Sequence, residues 1–523
     1  MLFAMARFAW LGWGLPVALV FFLGLREIGT ADFWWQWATG RHILENGIPT
    51  HDPWLTTPEP RPWIEMRWIY CAALYWTVEN VGAWLAIVAA AALYAVGVGF
   101  ALLSGGKAAP SWLAASGVAV ATVIGRRLVV RPEVFTLLFL GITLWLIIRM
   151  RQKRLNPKWG VPLIGVTQIA WANTHALFAL STALCAMWLF TELLQKSDLR
   201  KVAFTATLVS AAAALINPYG LEGVLFPFLL LQELHVGAYR NNIIELRSPL
   251  AMGFSPSLFA HLLMAASVGW FAIKKRGDLF LLLACAATLY LSLTVVRNAP
   301  LFALCAAAYI STCDLRSHRV PAIAAGIAAA AMAYAFAIGT WTVEDRLGFT
   351  VARNRYALVA AKSIEGENGN VFNTLVEGSI LIAQRQKAFC DPRLEVLPQD
   401  RFLEMMDIAR LKKPLPDHFQ VAFLAIDTPL AGKLVNDSAG WRLAGVDALG
   451  IALVRDPSVH IDKNITVTRA RAAVDLNPPA FSLLSRAASP VPYRRLAVFF
   501  RNIGEQQAAD EMLTLARRVY PTR

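Results

Sequence analysis

Charge is scarce in this 523-residue chain. Asp, Glu, Lys and Arg make up 16% of it, against about a quarter in ordinary soluble domains. A wholly soluble enzyme is excluded by that shortage. Cysteine is sparse too. Of the six, Cys185, Cys285 and Cys305 lie inside apolar runs, Cys313 ends one, and Cys71 and Cys390 stand alone. That distribution offers neither a disulfide framework nor a thiolate metal site. Also missing are a phosphate-cradling glycine loop, a nucleophile elbow and a dinucleotide fingerprint. Their absence excludes an ATP-driven pump and a nucleotide-sugar enzyme with a soluble fold.

What is present is apolar sequence in quantity: 57% hydrophobic residues and a mean hydropathy of +0.49. It is unevenly spread. Residues 1–340 hold one apolar run after another, whereas 345–523 have ordinary soluble composition. The chain therefore divides into a transmembrane domain, 1–343, with an outer loop at 26–80, and an extracytoplasmic domain, 344–523. A span needs roughly 20 apolar residues. Helices are expected near 8–25, 82–104, 111–124, 133–149, 159–173, 175–194, 201–216, 257–273, 279–296, 299–313 and 320–341, about eleven in all. The first is read as a retained helix, since no convincing small-residue cleavage site follows it.

The net charge of +14 sits in short loops between these runs, so it speaks of topology and not of nucleic acid. Every second loop is basic: Lys107; Arg149, Arg151, Lys153, Arg154 and Lys158; Lys196, Arg200 and Lys201; Lys274, Lys275 and Arg276; Arg316 and Arg319. With those loops inside, the N-terminus is cytoplasmic and residues 345–523 lie outside. The basic residues of the other loops are all arginine: Arg26, Arg41, Arg61, Arg67, Arg126, Arg127, Arg131, Arg240, Arg247 and Arg297. A planar guanidinium fork suits phosphate and carboxylate better than a lysine does.

The outer loop shows interfacial helical potential at 33–45 and 66–78, with a turn at Gly47 and Pro49 between them. A second outer stretch, 217–256, opens on the turn signal Asn217-Pro218-Tyr219-Gly220. The outer domain alternates strand-like pieces, 371–373, 421–426 and 450–454, with helix-like ones, 356–364 and 402–411. Residues 494–521 carry the spacing of one tetratricopeptide-type hairpin. The fold class expected is thus an α-helical polytopic membrane protein followed by an α/β outer domain that ends in a helical hairpin.

Asp32 is the first candidate for chemistry. It lies just past the outer end of the first span, where a carboxylate can take a proton from an attacking hydroxyl. The plain alternative is an interfacial aspartate that starts a helix. Asp52 and Glu65 are further carboxylates of the same loop, able to bind a metal or to orient an acceptor. His42 and His51 add possible ligands, but their spacing fits no zinc pattern. Trp35 joins the substrate-binding candidates. Arg126, Arg127 and Arg131 crowd one short outer turn, where three cations are costly unless an anion is bound or they reach to lipid headgroups. Arg297 and Asn298 share a second tight turn. Asn173 and His175 lie in a third, as a helix cap or a pocket wall.

Taken in order, several stretches resemble a bacterial branch of the C superfamily of multi-span membrane glycosyltransferases, the GT-C type. They are Asp32-Phe33-Trp34-Trp35 through Asp52-Pro53, Arg131-Pro132-Glu133, Trp171-Ala172-Asn173-Thr174-His175, Asn217-Pro218-Tyr219-Gly220, Glu245-Leu246-Arg247-Ser248-Pro249, Arg297-Asn298-Ala299-Pro300, Asn373 to Gly378 and Asp391 to Val396. The resemblance implies a polyprenyl-phosphate-linked sugar as donor and an envelope glycan, lipid or protein as acceptor. It implies action on the outer face of the bacterial inner membrane, among membrane lipids. It makes Asp32 the catalytic base and Arg131 and Arg297 the holders of the donor phosphate, a role to which Arg127 is added as their neighbour, and it leaves a divalent metal possible. One departure stands out. Where this branch has a His-Glu pair after Pro-Trp, Pro62-Trp63 is followed by Ile64-Glu65-Met66-Arg67. Two other classes share the architecture. A lipid or glycan transporter or flippase requires polar residues inside the spans for alternating access, and few are seen. A non-catalytic scaffold recruiting partners through the terminal hairpin requires no loop carboxylate.

Overall fold

The computed structural model describes residues 11–235, 237–274, 276–340, 346–367, 369–437, 439–480 and 488–520. Residues 8–10 and 341 of the expected spans, Lys275, residues 344–345 of the outer domain and Pro521 lie outside the described residues. The described chain is mostly helical, with one four-stranded sheet. It splits into two compact units. One holds 1–26, 64–70 and 84–334, the other 27–63, 71–83 and 335–523.

Each expected span carries a helix. Among the described residues, five are long and apolar enough to cross a membrane: Ala83–Leu103, Glu133–Arg151, Ala176–Leu194, Pro256–Ile273 and Arg319–Ala337. The remaining six, Leu11–Gly24, Pro110–Ile124, Pro157–Ala172, Arg200–Ala214, Leu279–Thr294 and Ala299–Thr312, are shorter. The outer stretch holds an apolar helix that the turn signal hid, Gly220–His235, with Leu221, Leu225, Phe228 and Leu229 exposed.

The Ala299–Thr312 helix is buried along its entire length, as a helix apolar on all sides must be. Small residues set how closely its neighbours approach, in the manner of membrane helices. A Cβ on Gly141 would stand 2.2 Å from the Gly97 carbonyl oxygen, and one on Gly12 2.6 Å from Pro110. The ends of the spans are tied by charge. Arg26 is buried and donates through Nε to the Leu23 carbonyl at 2.6 Å and through a terminal nitrogen to the Gly125 carbonyl at 2.5 Å. It thus answers the exposed carbonyl ends of two helices. Toward the opposite ends of the spans, Arg151 pairs with Glu192 and, at 3.3 Å, with Asp278.

In the other unit the strands are β1 (Asn370–Asn373), β2 (Phe419–Ala425), β3 (Ala439–Val446) and β4 (Gly450–His460). Their order is β1-β2-β4-β3. β1 runs parallel to β2 and the other pairings are antiparallel. Three of the four match expected strands. β3 does not, because its two glycines and two register shifts break the alternation that marks a strand. The interfacial helices appear at Phe33–Asn46 and Trp68–Asn80, and the terminal hairpin as Val491–Asn502 and Gln506–Val519.

Residues 27–63 and 71–83 fall in the same compact unit as residues 335–523. Residues 50–63 fold back on themselves, with Asp52 N–H donating to the Arg61 carbonyl at 2.8 Å and Trp63 N–H to that of Thr50 at 2.9 Å. Thr56 N–H donates to the Ala388 carbonyl, and Ala388 N–H to that of Trp54, each at 3.0 Å. Between these segments lies Arg393, fully buried. It grips Asp391 through two nitrogens at 2.9 and 2.8 Å and reaches Asp52 at 2.7 Å. Its guanidinium lies 4.8 and 4.6 Å from the ring centres of Trp54 and Trp63. Nearby, the Asn373 amide donates to the Cys390 carbonyl at 2.7 Å and accepts from Phe389 N–H at 2.8 Å. A Cβ on Gly378 would stand 1.8 Å from that Cys390 oxygen.

Removing one partner of a buried ion pair costs about 3–5 kcal/mol. Arg393→Met is therefore expected to lower the thermal midpoint of the solubilised protein sharply, as read by tryptophan fluorescence. Burial already pushes the Asp391 carboxyl up, against the pull of Arg393, and the nearby Asp52 adds to the rise. Without the guanidinium it rises further, and stability held by the protonated form is lost as pH climbs through the folded pKa. The deficit should thus be larger at pH 7 than at pH 5; equal deficits would contradict this account.

Candidate functional site

The expected anion-binding arginines are gathered within the membrane unit. Arg127 ends the turn Gly125–Arg127, Arg131 precedes the Glu133–Arg151 helix, and Arg297 sits on the turn Val296–Asn298. All three meet carboxylates. Arg297 pairs with Glu133 at 2.8 Å, while Arg127 and Arg131 reach the two oxygens of Glu245 at 3.1 and 3.4 Å. Val296 N–H donates to the Arg247 carbonyl at 2.9 Å, which ties the Arg297 turn to the segment bearing Glu245. Burial alone would raise the Glu245 carboxyl, but Arg127, Arg131 and Arg297 outweigh it and hold it down at about 2. Arg126 is exposed. Glu133 and Glu245 have no role assigned from sequence alone; their place beside arginines in Arg131-Pro132-Glu133 and Glu245-Leu246-Arg247 is the signal that marks them.

His175 is both a cap and a buried polar group. Its Nδ1 accepts from Leu177 N–H at 3.3 Å and lies 2.8 Å from the Thr136 hydroxyl. Burial lowers its pKa to about 4, against the opposing pull of Glu133, so the ring is neutral at pH 7. Asn173 is spent on structure. Its amide donates to the carbonyls of Ile169 and Ile216 at 2.8 and 2.7 Å and accepts from the Trp68 indole at 2.9 Å. Asn298 donates to the Leu291 carbonyl at 3.3 Å.

Glu65 is fully buried and clamped by Arg67, whose backbone N–H, Nε and terminal nitrogen donate at 2.8, 2.6 and 2.9 Å. Glu65 N–H in turn donates to the Tyr219 hydroxyl at 3.0 Å. Thus the carboxylate that replaced the expected His-Glu pair is held by the very arginine that took the glutamate position. Glu65 acts here as a clamp, with its acceptor oxygens taken up by that arginine.

In the second unit, Asp32 occupies the N-cap position of the Phe33–Asn46 helix but makes no capping bond with its side chain. Its Oδ1 accepts from the Trp35 indole at 3.2 Å. Asp32 and Trp35, two of the expected site residues, are therefore joined, with Asp32 half-buried and Trp35 buried. Asp52 is part of the Arg393 cluster, and its oxygens also accept from Trp54 and Leu55 N–H at 3.3 and 2.8 Å. It is an anchor of the loop. Among the described residues, no group of three or more His, Cys, Asp or Glu side chains is placed to hold a metal ion.

No protein-family model matches the chain, and no curated protein matches its sequence. Among solved structures, the apo oligosaccharyltransferase of Archaeoglobus fulgidus aligns with a TM-score of 0.54 at 10% identity, over 83% of this chain and 73% of that one. ArnT from Cupriavidus metallidurans, solved bound to undecaprenyl phosphate, aligns with a TM-score of 0.49 at 11% identity, over 86% of this chain and 98% of that one. At such identities a likeness speaks for fold alone. With its apolar helices and four-stranded sheet, the chain shares the fold of that archaeal oligosaccharyltransferase, in keeping with the GT-C-type fold expected from the sequence.

Proposed function

We propose that the protein is a membrane glycosyltransferase that moves a sugar from a polyprenyl-phosphate donor to an envelope glycan, lipid or protein acceptor on the outer face of the bacterial inner membrane, with its N-terminus cytoplasmic and its outer domain extracytoplasmic. The observation that carries this reading is the arginine cluster. Arg127, Arg131 and Arg297 lie on neighbouring turns, paired with Glu133 and Glu245, and a planar guanidinium fork suits a phosphate.

In this reading the acceptor hydroxyl oxygen attacks the anomeric carbon as the bond from that carbon to the phosphate oxygen breaks, with inversion. Asp32 takes the hydroxyl proton. The charge developing on the departing polyprenyl phosphate falls to the arginines, which stabilise it because their carboxylate partners fix them in advance. Glu245 is the carboxylate a phosphate would displace, since its side chain is 42% exposed whereas that of Glu133 is 20% exposed. Trp35 orients Asp32 through its indole bond.

A positioned general base is worth about 10²–10⁴ in rate. Asp32→Asn is therefore expected to cut transfer by about 100-fold or more while leaving the thermal midpoint and donor binding in place. Transfer at the wild-type rate by the purified variant would sink the assignment and favour a transporter or a scaffold. For Glu245→Gln the expectation runs the other way. It relieves Arg127 and Arg131 of a competing charge, and one charge-assisted hydrogen bond is worth roughly 1.5–3 kcal/mol. Binding of farnesyl phosphate, titrated by calorimetry, should tighten by about tenfold, and Arg297→Ala should weaken it. Unchanged affinity in both variants would remove the arginines from the donor site.

A further inference from the structure

The Glu133–Arg151 helix begins with two residues that hold different polar side chains. Glu133 holds Arg297. Thr136, three residues on and so on the same face, holds His175. The hydrogen bonds around His175 can be assigned from donor chemistry alone. The Trp171 indole only donates, and it reaches Thr136 Oγ1 at 3.0 Å. That hydroxyl has its own proton left to give, and His175 Nδ1 lies 2.8 Å away. A backbone N–H also only donates, and that of Leu177 points at the same Nδ1 at 3.3 Å. Nδ1 therefore carries a lone pair and no proton, which leaves the proton of the neutral ring on Nε2. Thr136 and His175 are both buried, Trp171 completely. Among the described residues, Nε2 has no hydrogen-bond partner. Glu133, Arg297 and Arg67 are the charged groups whose fields reach the ring.

We propose that Thr136 is a positioning residue that locks His175 as a neutral hydrogen-bond donor through Nε2, aimed at an oxygen of the phosphate-linked sugar. The choice of partner rests on the transferase reading above; the locked tautomer does not. This excludes His175 as a proton acceptor or metal ligand through Nδ1. It also explains why a histidine serves beside arginines. A neutral donor adds a directed contact without adding another positive charge at the membrane face.

The test uses the full-length protein in nanodiscs, labelled with ¹⁵N-histidine, with the His175 signals identified by their loss in His175→Gln. Wild type and Thr136→Ser, which keeps the hydroxyl, should show an unprotonated Nδ1 and a protonated Nε2. Thr136→Val should show a mixture of the two tautomers. A proton on Nδ1 in the wild type overturns the inference, and so does an unchanged single tautomer in Thr136→Val. The second arm measures farnesyl phosphate binding. The side-chain amide of Gln reaches the Nε2 position, whereas that of Asn reaches only Nδ1. His175→Gln should keep the wild-type affinity within about threefold, and His175→Asn should lose about tenfold. Equal losses in both overturn the donor role. Failure of the wild type to bind farnesyl phosphate overturns the transferase reading instead, and the ¹⁵N signals, which need no ligand, keep that failure distinct from failure of the tautomer lock.

Discussion

A charge taken out of water must be met by an opposite charge and by hydrogen bonds, or the fold does not hold. Arg393 is where that constraint is most severe. It is buried to the last atom, it is faced by Asp391 and Asp52, and two tryptophan rings complete its surroundings. Asp391 is a near neighbour in sequence, but Asp52 comes from the first outer loop. The pairing therefore does more than stabilise a domain. It makes a loop that follows the first membrane helix part of the unit formed by residues 335–523. The bonds between Thr56, Ala388 and Trp54 run alongside it, and the Ser379 hydroxyl donates to the Ala31 carbonyl at 3.1 Å, next to Asp32. The proposed base thus stands on a segment fixed by the outer domain as well as by its own helix.

The same constraint orders the membrane unit differently. There the arginines sit on turns and find carboxylates on neighbouring turns, Glu133 and Glu245. Arg393 is fully buried, faced by Asp391 and Asp52 and closed in by two tryptophan rings, whereas Arg127 and Arg131 are paired with Glu245, whose side chain is 42% exposed. Both clusters are built from Arg with Asp or Glu, so exposure separates them where residue type does not.

Much of the helical layout was legible because an apolar run long enough for a helix in lipid has few other uses. The interfacial helices and the terminal hairpin were legible from their spacing. Less visible was anything decided by a distant partner. β3 lost its alternation to glycines and bulges, and the Gly220–His235 helix hid behind a turn signal. The site residues divide along the same line. Asp32 and Trp35 are close in sequence and meet in space. Asp52 and Glu65 read as available carboxylates because Arg393 lies far along the chain and Arg67, only two residues from Glu65, reads as one of the anion-binding arginines. Asn173 reads as a helix cap or a pocket wall because its partners at Trp68 and Ile216 belong to other segments. A polar residue in an outer loop declares that it must be satisfied, but not by what.

This bears on how motifs should be weighed. Of the stretches that carried the family resemblance, those in the outer domain turn out to be devices of packing. Asn373 ties two strand ends, Gly378 admits the Cys390 carbonyl, and Asp391 holds Arg393. Those in the membrane unit mix the two uses within a few residues. Trp171, Asn173 and His175 belong to one motif, yet Asn173 is consumed by backbone carbonyls while Trp171 works through Thr136 on the one ring nitrogen that must not carry a proton. A motif of this kind marks where the chain is constrained, and only the direction of each hydrogen bond tells whether the constraint serves the fold or leaves a donor for something else.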